Sequence, residues 1–223
     1  MGGGRNHPED PFRMSLVVTA FIYLTILWLL GTLLQCVFLR LIRVPITKVK
    51  LFHGNTPVGF KVGGCQVSLG WIPVGSSVAY DTVEFFRKPW PIRLAGHFSV
   101  TVIALIAAGI SLGGSQGWYQ FLTGFRQIAL GTWAPIDRAT EYLSHWHEIA
   151  VGSPVASFGI LAAKMAAFSI FPIGGSAIIQ ILADAGTSTG RQEIEKLAAF
   201  NALVAIMMMA LWGFAAIWLM VIR

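Results

Sequence analysis

Side chains that could bind a metal ion are few in this chain, and the densest group is the run His145-Trp146-His147-Glu148. His145 and Glu148 are three residues apart, so on a helix they share one face. A zinc-binding helix of the His-Glu-x-x-His type needs a second histidine one turn after the first, but here residues 149–151 are Ile-Ala-Val. The run therefore allows a weak two-ligand site at most, and a solvated polar cluster is the simpler interpretation.

His53 and His97 are the other candidate metal ligands, and they flank a basic segment of the chain. They would approach each other only if that segment folded back, and no third ligand is in view. Zinc sites in proteins use three or four side chains, so we expect no metal ion here, and we expect no other cofactor. We interpret His97 as a buried or interfacial histidine that satisfies backbone groups near Gly96.

The composition indicates which elements must position these residues, because 55% of the 223 residues are hydrophobic and only 12% are charged. A helix that crosses a bilayer needs about 20 apolar residues. Four stretches are long enough, at residues 16–39, 94–112, 154–182 and 197–222. We therefore predict an all-α polytopic membrane protein with about four transmembrane helices, in a single membrane domain over residues 1–223.

The third apolar stretch is interrupted by Lys164 and by the run Pro172-Ile173-Gly174-Gly175-Ser176. Broken backbone at membrane depth is tolerated only where protein or water satisfies its polar groups, and an ionisable side chain there usually marks a functional site. We expect this span to break near residues 172–176 and to face the bundle interior. The candidate residues for binding a partner are therefore Lys164, Pro172, Gly174 and Gly175.

Two segments between the spans have other patterns. Residues 44–80 alternate β-forming residues with Gly and Pro, which predicts short strands and hairpins in a small β-rich loop at the cytoplasmic membrane face. Residues 113–152 are semi-polar and rich in Trp and Tyr, whose side chains favour the headgroup zone. We predict that this second segment forms one or two interfacial helices.

Basic residues orient the chain, because Lys and Arg accumulate in segments that stay in the cytoplasm. The formal net charge is +6, and the loop between the first two spans carries much of it. Its basic residues are Arg40, Arg43, Lys48, Lys50, Lys61, Arg87, Lys88 and Arg93. They lie near the ends of apolar spans, so we expect contact with anionic membrane lipids and no nucleic-acid binding. Both termini should then lie on the non-cytoplasmic side, and we expect the bacterial inner membrane.

Several segments follow one another in an order that resembles a known family. The clearest are Arg43-Val44-Pro45-Ile46 after the first span and the turn Ile72-Pro73-Val74-Gly75-Ser76-Ser77-Val78. The others are residues 50–57, 86–89 with Arg93, Ala95-Gly96-His97, Ser153-Pro154-Val155 and Ser169-Ile170-Phe171-Pro172-Ile173. In this order they resemble the site-2 protease family of intramembrane zinc metalloproteases, over roughly residues 16–185. The resemblance implies the membrane fold of that family.

The positions of the family's zinc ligands and general base depart from its pattern. That family uses His-Glu-x-x-His in the first of these helices and Asn-x-x-Pro-x-Pro-x-Leu-Asp-Gly in a later one. The matching positions here are Gly31, Thr32 and Gln35 in the first span, Ser169 for the asparagine, and Ser176 or Ala177 for the aspartate. Zinc needs imidazole, thiolate or carboxylate ligands, and a general base must take a proton from the metal-bound water. None of these groups is present at the matching positions.

The resemblance therefore implies a protease-like fold without the protease chemistry. Our leading hypothesis is a pseudoprotease that is a scaffold, accessory subunit or regulator and binds other transmembrane proteins in a hetero-complex. One alternative is an atypical intramembrane metalloprotease with a metal site relocated to His53, His97, His145 or Glu148. A second alternative is a small transporter or channel component, suggested by Lys164 and the break at Pro172.

Overall fold

The computed structural model describes residues 11–55, 58–171, 181 and 188–222. Helices dominate this part of the chain, and a four-stranded sheet follows the first helix. In chain order the elements are α1 (Pro11–Leu41), β1 (Ile46–His53), β2 (Val58–Val62), β3 (Cys65–Leu69), β4 (Ile72–Tyr80), α2 (Thr82–Phe86), α3 (Trp90–His97), α4 (Ser99–Leu112), α5 (Gly114–Trp133), a π-helical turn (Pro135–Ala139), α6 (Thr140–Gly152), α7 (Pro154–Ile170) and α8 (Ser188–Ile222).

Two of these helices are long and apolar enough to cross a membrane, α1 at Val18–Leu41 and α8 at Leu203–Val221. The pair α3 and α4 passes the same test as one span, although it is bent by 57°. The helix α7 is apolar but has only 17 residues. The chain is therefore a membrane-associated protein with two or three candidate membrane helices among the residues that the structure describes.

The helix α1 ends in a Schellman motif, in which a left-handed residue closes the last turn. Arg43 adopts φ 57°, its N–H donates to the Arg40 carbonyl at 3.1 Å, and the Val44 N–H donates to the Leu39 carbonyl at 2.9 Å. Val44 and Leu39 are both buried and pack together with Phe85. This cap turns the chain sharply, so that β1 begins close to the end of α1.

The sheet has the strand order β2-β3-β1-β4. The strands β2 and β3 form a tight hairpin, because Gly63 and Gly64 both have positive φ, as a two-residue turn of this kind requires. The strand β3 then pairs in parallel with β1, whose other edge pairs antiparallel with β4. The predicted β-rich loop over residues 44–80 is thus a small mixed sheet.

The helical core is built from small side chains. Six buried alanines lie on α4 and α7, and a further close contact joins Gly159 of α7 to Ser111 and Leu112 of α4. The alanines are Ala104, Ala108, Ala162, Ala163, Ala166 and Ala167. Small residues let helix backbones approach closely where lipid supplies no hydrophobic driving force. The helices α4 and α7 therefore form the centre of the bundle, and α1 and α5 pack around them.

The helix α5 packs through a buried heptad stripe. The stripe consists of Gly117, Phe121, Gly124, Ile128 and Gly131. Each of its glycines faces a different helix: Gly117 lies against α4, Gly124 against α7 and Gly131 against Trp212 of α8. The predicted helices between residues 113 and 152 are therefore present, and α5 joins the bundle; their placement at the interface stays a prediction.

Two predicted spans differ from the observed helices. Residues 94–112 were expected to form one helix, but the helix breaks at Phe98, because α3 packs Gly96 against Phe38 and Phe85. The third span, expected over residues 154–182, has a helix that ends at Ile170. The break predicted at residues 172–176 lies outside the described residues, and so do Pro172, Gly174 and Gly175.

Candidate functional site

The helix α1 contributes Gly31, Thr32 and Gln35, the positions that match His-Glu-x-x-His in the resembling family. Gly31 is buried against α4, and a Cβ atom at this position would lie 3.0 Å from Val100 Cγ2. The larger side chain of a histidine would therefore need α4 to move or Val100 to shrink. Helix packing between α1 and α4 takes the space that a first zinc ligand would use.

Thr32 is buried and belongs to a short chain of hydroxyl groups. Its Oγ1 donates to the Trp28 carbonyl at 2.8 Å and is hydrogen-bonded to Ser76 Oγ of β4. A hydroxyl has one proton to donate, so Ser76 donates to Thr32, which in turn donates to the backbone of α1. The contact attaches the sheet to the middle of α1.

Ser169 on α7 belongs to a second hydroxyl chain of the same kind. Its Oγ donates to the Ala166 carbonyl at 2.8 Å and lies 2.6 Å from Thr101 Oγ1 of α4. By the same proton count Thr101 donates to Ser169. The two chains are neutral and satisfied, and alcohol oxygens are not among the ligands that zinc sites use. These positions therefore do not fit a zinc ion.

Lys164 lies on α7 like Ser169, but its side chain is an ammonium group and not a neutral hydroxyl. Its Nζ donates to the Gln120 carbonyl at 2.6 Å and to Thr123 Oγ1 at 2.9 Å, both on α5. The aliphatic stem passes over Gly124, where a Cβ atom would lie 3.2 Å from Lys164 Cδ. Both acceptors are neutral, and within the described part of the chain no carboxylate pairs with this ammonium group.

The histidines that the structure describes do not converge on one place. His97 lies at the end of α3 with its ring against Phe85, at 5.8 Å between ring centroids. His53 pairs with Ile72 through the backbone of the sheet, and its side chain lies outside what the structure describes. His145 Nδ1 and Glu148 Oε2 are 3.8 Å apart on the surface of α6. Among the residues with described positions, no three His, Cys, Asp or Glu side chains come close enough to hold one metal ion.

His145 and Glu148 belong to a larger polar surface that was not predicted from the sequence. An open groove of about 560 Å³ runs along the π-helical turn and α6. It is lined by Ile136, Asp137, Thr140, Glu141, Ser144, His145 and Glu148. The spacing of Asp137, Glu141 and Glu148 places all three on one helix face. This spacing could have indicated the groove from the sequence.

No protein-family model, curated protein or solved structure matches this chain. The arrangement of its own residues is therefore what supports a function. The structure brings Thr32 together with Ser76, Ser169 together with Thr101, and Lys164 together with α5. The sequence did not reveal these hydroxyl partners, because each pair joins elements that are far apart in the chain.

Proposed function

We propose that this chain is a non-catalytic membrane protein of site-2 protease type that binds transmembrane segments of partner proteins in a hetero-complex, as a scaffold, accessory subunit or regulator. The observation that carries the proposal is the pair of neutral hydroxyl chains at two positions of the family's motifs, Thr32 at that of the general base and Ser169 at that of the asparagine. The hydroxyl protons of Thr32 and Ser169 are both donated to helix carbonyls. Peptide hydrolysis by the family's route needs a metal-bound water and a general base, and these positions supply neither.

The proposed role includes a membrane topology. Four spans, with the region around α7 as the third, would place both chain termini on the non-cytoplasmic side of a bacterial inner membrane. The concentration of Lys and Arg between residues 40 and 93 supports this orientation. Cysteine labelling with a membrane-impermeant reagent in intact cells tests it, because a cysteine added at residue 223 should react and one added at residue 63 should not.

Partner binding in this proposal depends on Lys164. An ammonium group has three protons to donate, and two of them meet neutral acceptors on α5. A charged side chain in an apolar helix is costly unless it is paired. A carboxylate from a partner helix, bound beside α5 and α7, would supply the missing countercharge.

Zinc content and cleavage test the non-catalytic part of the proposal. The purified chain should contain substoichiometric zinc and should leave transmembrane peptides intact. Stoichiometric zinc that is lost together with cleavage on changing His97 or His145 to Ala would contradict the proposal and would favour the relocated metalloprotease.

A designed variant tests the ancestry of the fold separately. Gly31→His, Thr32→Glu and Gln35→His, combined with Val100→Ala to make room, should raise the affinity for zinc if α1 keeps the family's geometry. The matched control carries Val100→Ala alone and should bind no more zinc than the unchanged chain. Equal zinc binding by both variants would argue against the family resemblance.

Solute transport is another candidate function, and Lys164 is the observation in its favour among the described residues, since the break predicted at Pro172 lies outside them. Reconstitution into liposomes tests it, because a transporter would produce solute flux that a Lys164→Met variant loses. The scaffold proposal expects no flux from either protein.

A further inference from the structure

The sheet has two chemically different faces. Lys61 of β2 pairs with Gln66 of β3, which in turn pairs with Lys48 of β1, so these three side chains form one row across three strands. Lys50 lies two residues further along β1 and therefore points to the same face. We call the surface made by Lys48, Lys50 and Lys61 the lysine face. Lys48 and Lys61 are exposed, and Lys50 is half-buried.

The opposite face of the same strands is apolar. Phe60 pairs with Val67, which pairs with Val49, and these side chains alternate with the lysine row. On the edge strand, Val58, Phe60 and Val62 are each more than half exposed, at 53%, 53% and 58%. An apolar surface on one side and an uncompensated basic surface on the other are the features of elements that lie in a membrane interface.

The contact between β4 and α1 determines where the sheet lies along the apolar segment of α1. Ser76 of β4 is bonded to Thr32, and Tyr80 at the end of the same strand packs near Leu39. Four strand residues cover about 13 Å, and the seven helix residues from Thr32 to Leu39 cover about 11 Å. The strand β4 therefore runs alongside the last part of the Val18–Leu41 apolar segment. Lys48 is paired with Ala79, close to the end of that segment, and Lys50 is paired with Ser77, about 7 Å deeper along the strand.

The segment from the end of α1 to the end of β4 carries basic residues without acidic ones. Residues 40–80 contain five basic residues and not one Asp or Glu. The basic residues are Arg40, Arg43, Lys48, Lys50 and Lys61. Lysine side chains at the edge of an apolar segment extend their ammonium groups towards the headgroup layer, where anionic lipids provide the opposite charge.

We infer that the lysine face is a binding site for the phosphate headgroups of anionic phospholipids, with the apolar face of β2 and β3 turned towards the acyl chains. The inference needs only the sheet, α1 and a membrane, so it stands whether or not the chain is a pseudoprotease. The site takes a lipid phosphate because Lys48 and Lys61 flank Gln66 in the cross-strand row, and the neutral amide of Gln66 can donate a further hydrogen bond.

Lipid titration of the full chain tests the inference. The detergent-solubilised protein is titrated at low salt with phosphatidylglycerol or with phosphatidylcholine of the same acyl chains, and binding is read from tryptophan fluorescence. Each lysine near an anionic surface contributes about a fivefold gain in affinity. The variant K48Q/K50Q/K61Q should therefore bind phosphatidylglycerol roughly 100-fold more weakly and should keep its affinity for phosphatidylcholine.

The matched control R126Q/R138Q/K196Q removes three charges outside the sheet and outside the basic loop between the first two spans, and it should keep the preference for phosphatidylglycerol. Equal binding of the two lipids by the unchanged chain would overturn the inference, and so would an equal loss of preference in both triple variants. Soluble glycerol 3-phosphate or polyglutamate that displaces phosphatidylglycerol at equal charge concentration would also overturn it, because the site would then be one for free phosphate or for an acidic protein segment.

Discussion

Lys164 and Ser169 lie five residues apart on α7, and both are hydrogen-bonded to a neighbouring helix. Ser169 is a neutral hydroxyl whose donor and acceptor are both satisfied by Thr101 and the Ala166 carbonyl. Lys164 is a cation that has only neutral acceptors on α5. A satisfied neutral pair needs nothing further from its surroundings, whereas a charge without a countercharge favours the arrival of one. The hydroxyl of Ser169 is therefore satisfied within the bundle, whereas Lys164 has no countercharge among the residues that the structure describes, and this difference is why we propose a partner at Lys164.

The largest expected effect comes from replacing Lys164, because we propose that this residue binds the partner. Lys164→Met keeps the length of the side chain and removes the charge, so a partner's carboxylate would be left buried and unpaired. Loss of one member of such a pair costs about 2–5 kcal/mol of binding free energy. The partner should no longer co-migrate with the chain after mild-detergent purification from the native membrane.

Two controls accompany the Lys164 variant. Lys88→Met removes a lysine outside the bundle and should leave the complex intact. The free energy of unfolding of the isolated Lys164→Met chain should change little, because the lost hydrogen bonds are offset by the removal of a costly charge. A large loss of stability with an unchanged complex would mean that Lys164 only joins α5 to α7.

Replacing Gly124 tests the contact between Lys164 and α5, because the missing side chain of this glycine allows α5 to approach Lys164. A Cβ atom at this position would lie 2.8 Å from Ala167 Cβ, so Gly124→Ala must push α5 away from α7. Overpacking of this kind costs about 1–3 kcal/mol of unfolding free energy. Gly109→Ala is the matched control, since no described atom outside the backbone of α4 lies within 4 Å of its Cβ position, and it should stabilise α4 by up to about 1 kcal/mol. Thermal unfolding in detergent measures both; equal stability of the two variants would contradict the close contact.

The hydroxyl pair of Thr101 and Ser169 should show a smaller effect. Thr101→Val keeps the shape of the side chain and removes one neutral hydrogen bond, which contributes about 1 kcal/mol. Adding Ser169→Ala should cost little more, because the two hydroxyls act as a pair. A double-mutant cycle on the free energy of unfolding measures the coupling, and strictly additive costs would show that the pair does not exist.

We expect the smallest effect on stability from replacing Ser68. Its hydroxyl differs from those of Thr101 and Ser169, because its removal should not destabilise the protein. It is 1% exposed, and its Oγ atom has no hydrogen-bond partner within the part of the chain that the structure describes. Removing a buried hydroxyl that lacks a partner removes a desolvation cost, so Ser68→Ala should leave the stability unchanged or raise it by about 1 kcal/mol. A loss of stability comparable to that of Thr101→Val would show that Ser68 is bonded after all.

The sheet illustrates how far the pattern of residues predicts a fold. Alternating β-forming residues and the Gly63-Gly64 turn predicted strands and hairpins in this segment, and the structure confirms a small sheet. The parallel pairing of β1 with β3 was not predicted, because it requires β2 to lie at the edge of the sheet instead of between its sequence neighbours. Strand order depends on which apolar face packs on α1, and no local signal encodes this.

The bend between α3 and α4 shows that tertiary contacts also decide the course of the helices. Apolar residues continue across Phe98, so the composition predicted one span, but α3 is turned aside by packing of Gly96 against Phe38 and Phe85. Apolar composition reports that a segment avoids water. It does not report the direction of the helix axis, which distant side chains determine.

Residue types and their spacing were enough to predict a membrane-associated chain, short strands between residues 44 and 80, and the lack of zinc-binding side chains at Gly31, Thr32, Gln35 and Ser169. These properties depend on residue type and on spacing along a single element. The tertiary structure decided which groups satisfy the polar side chains, because Thr32 and Ser76 are 44 residues apart, Lys164 and Gln120 are 44 apart, and Thr101 and Ser169 are 68 apart. A hydrogen bond forms only within a few tenths of an ångström of its ideal length, and only the packing of whole helices brings such distant residues that close.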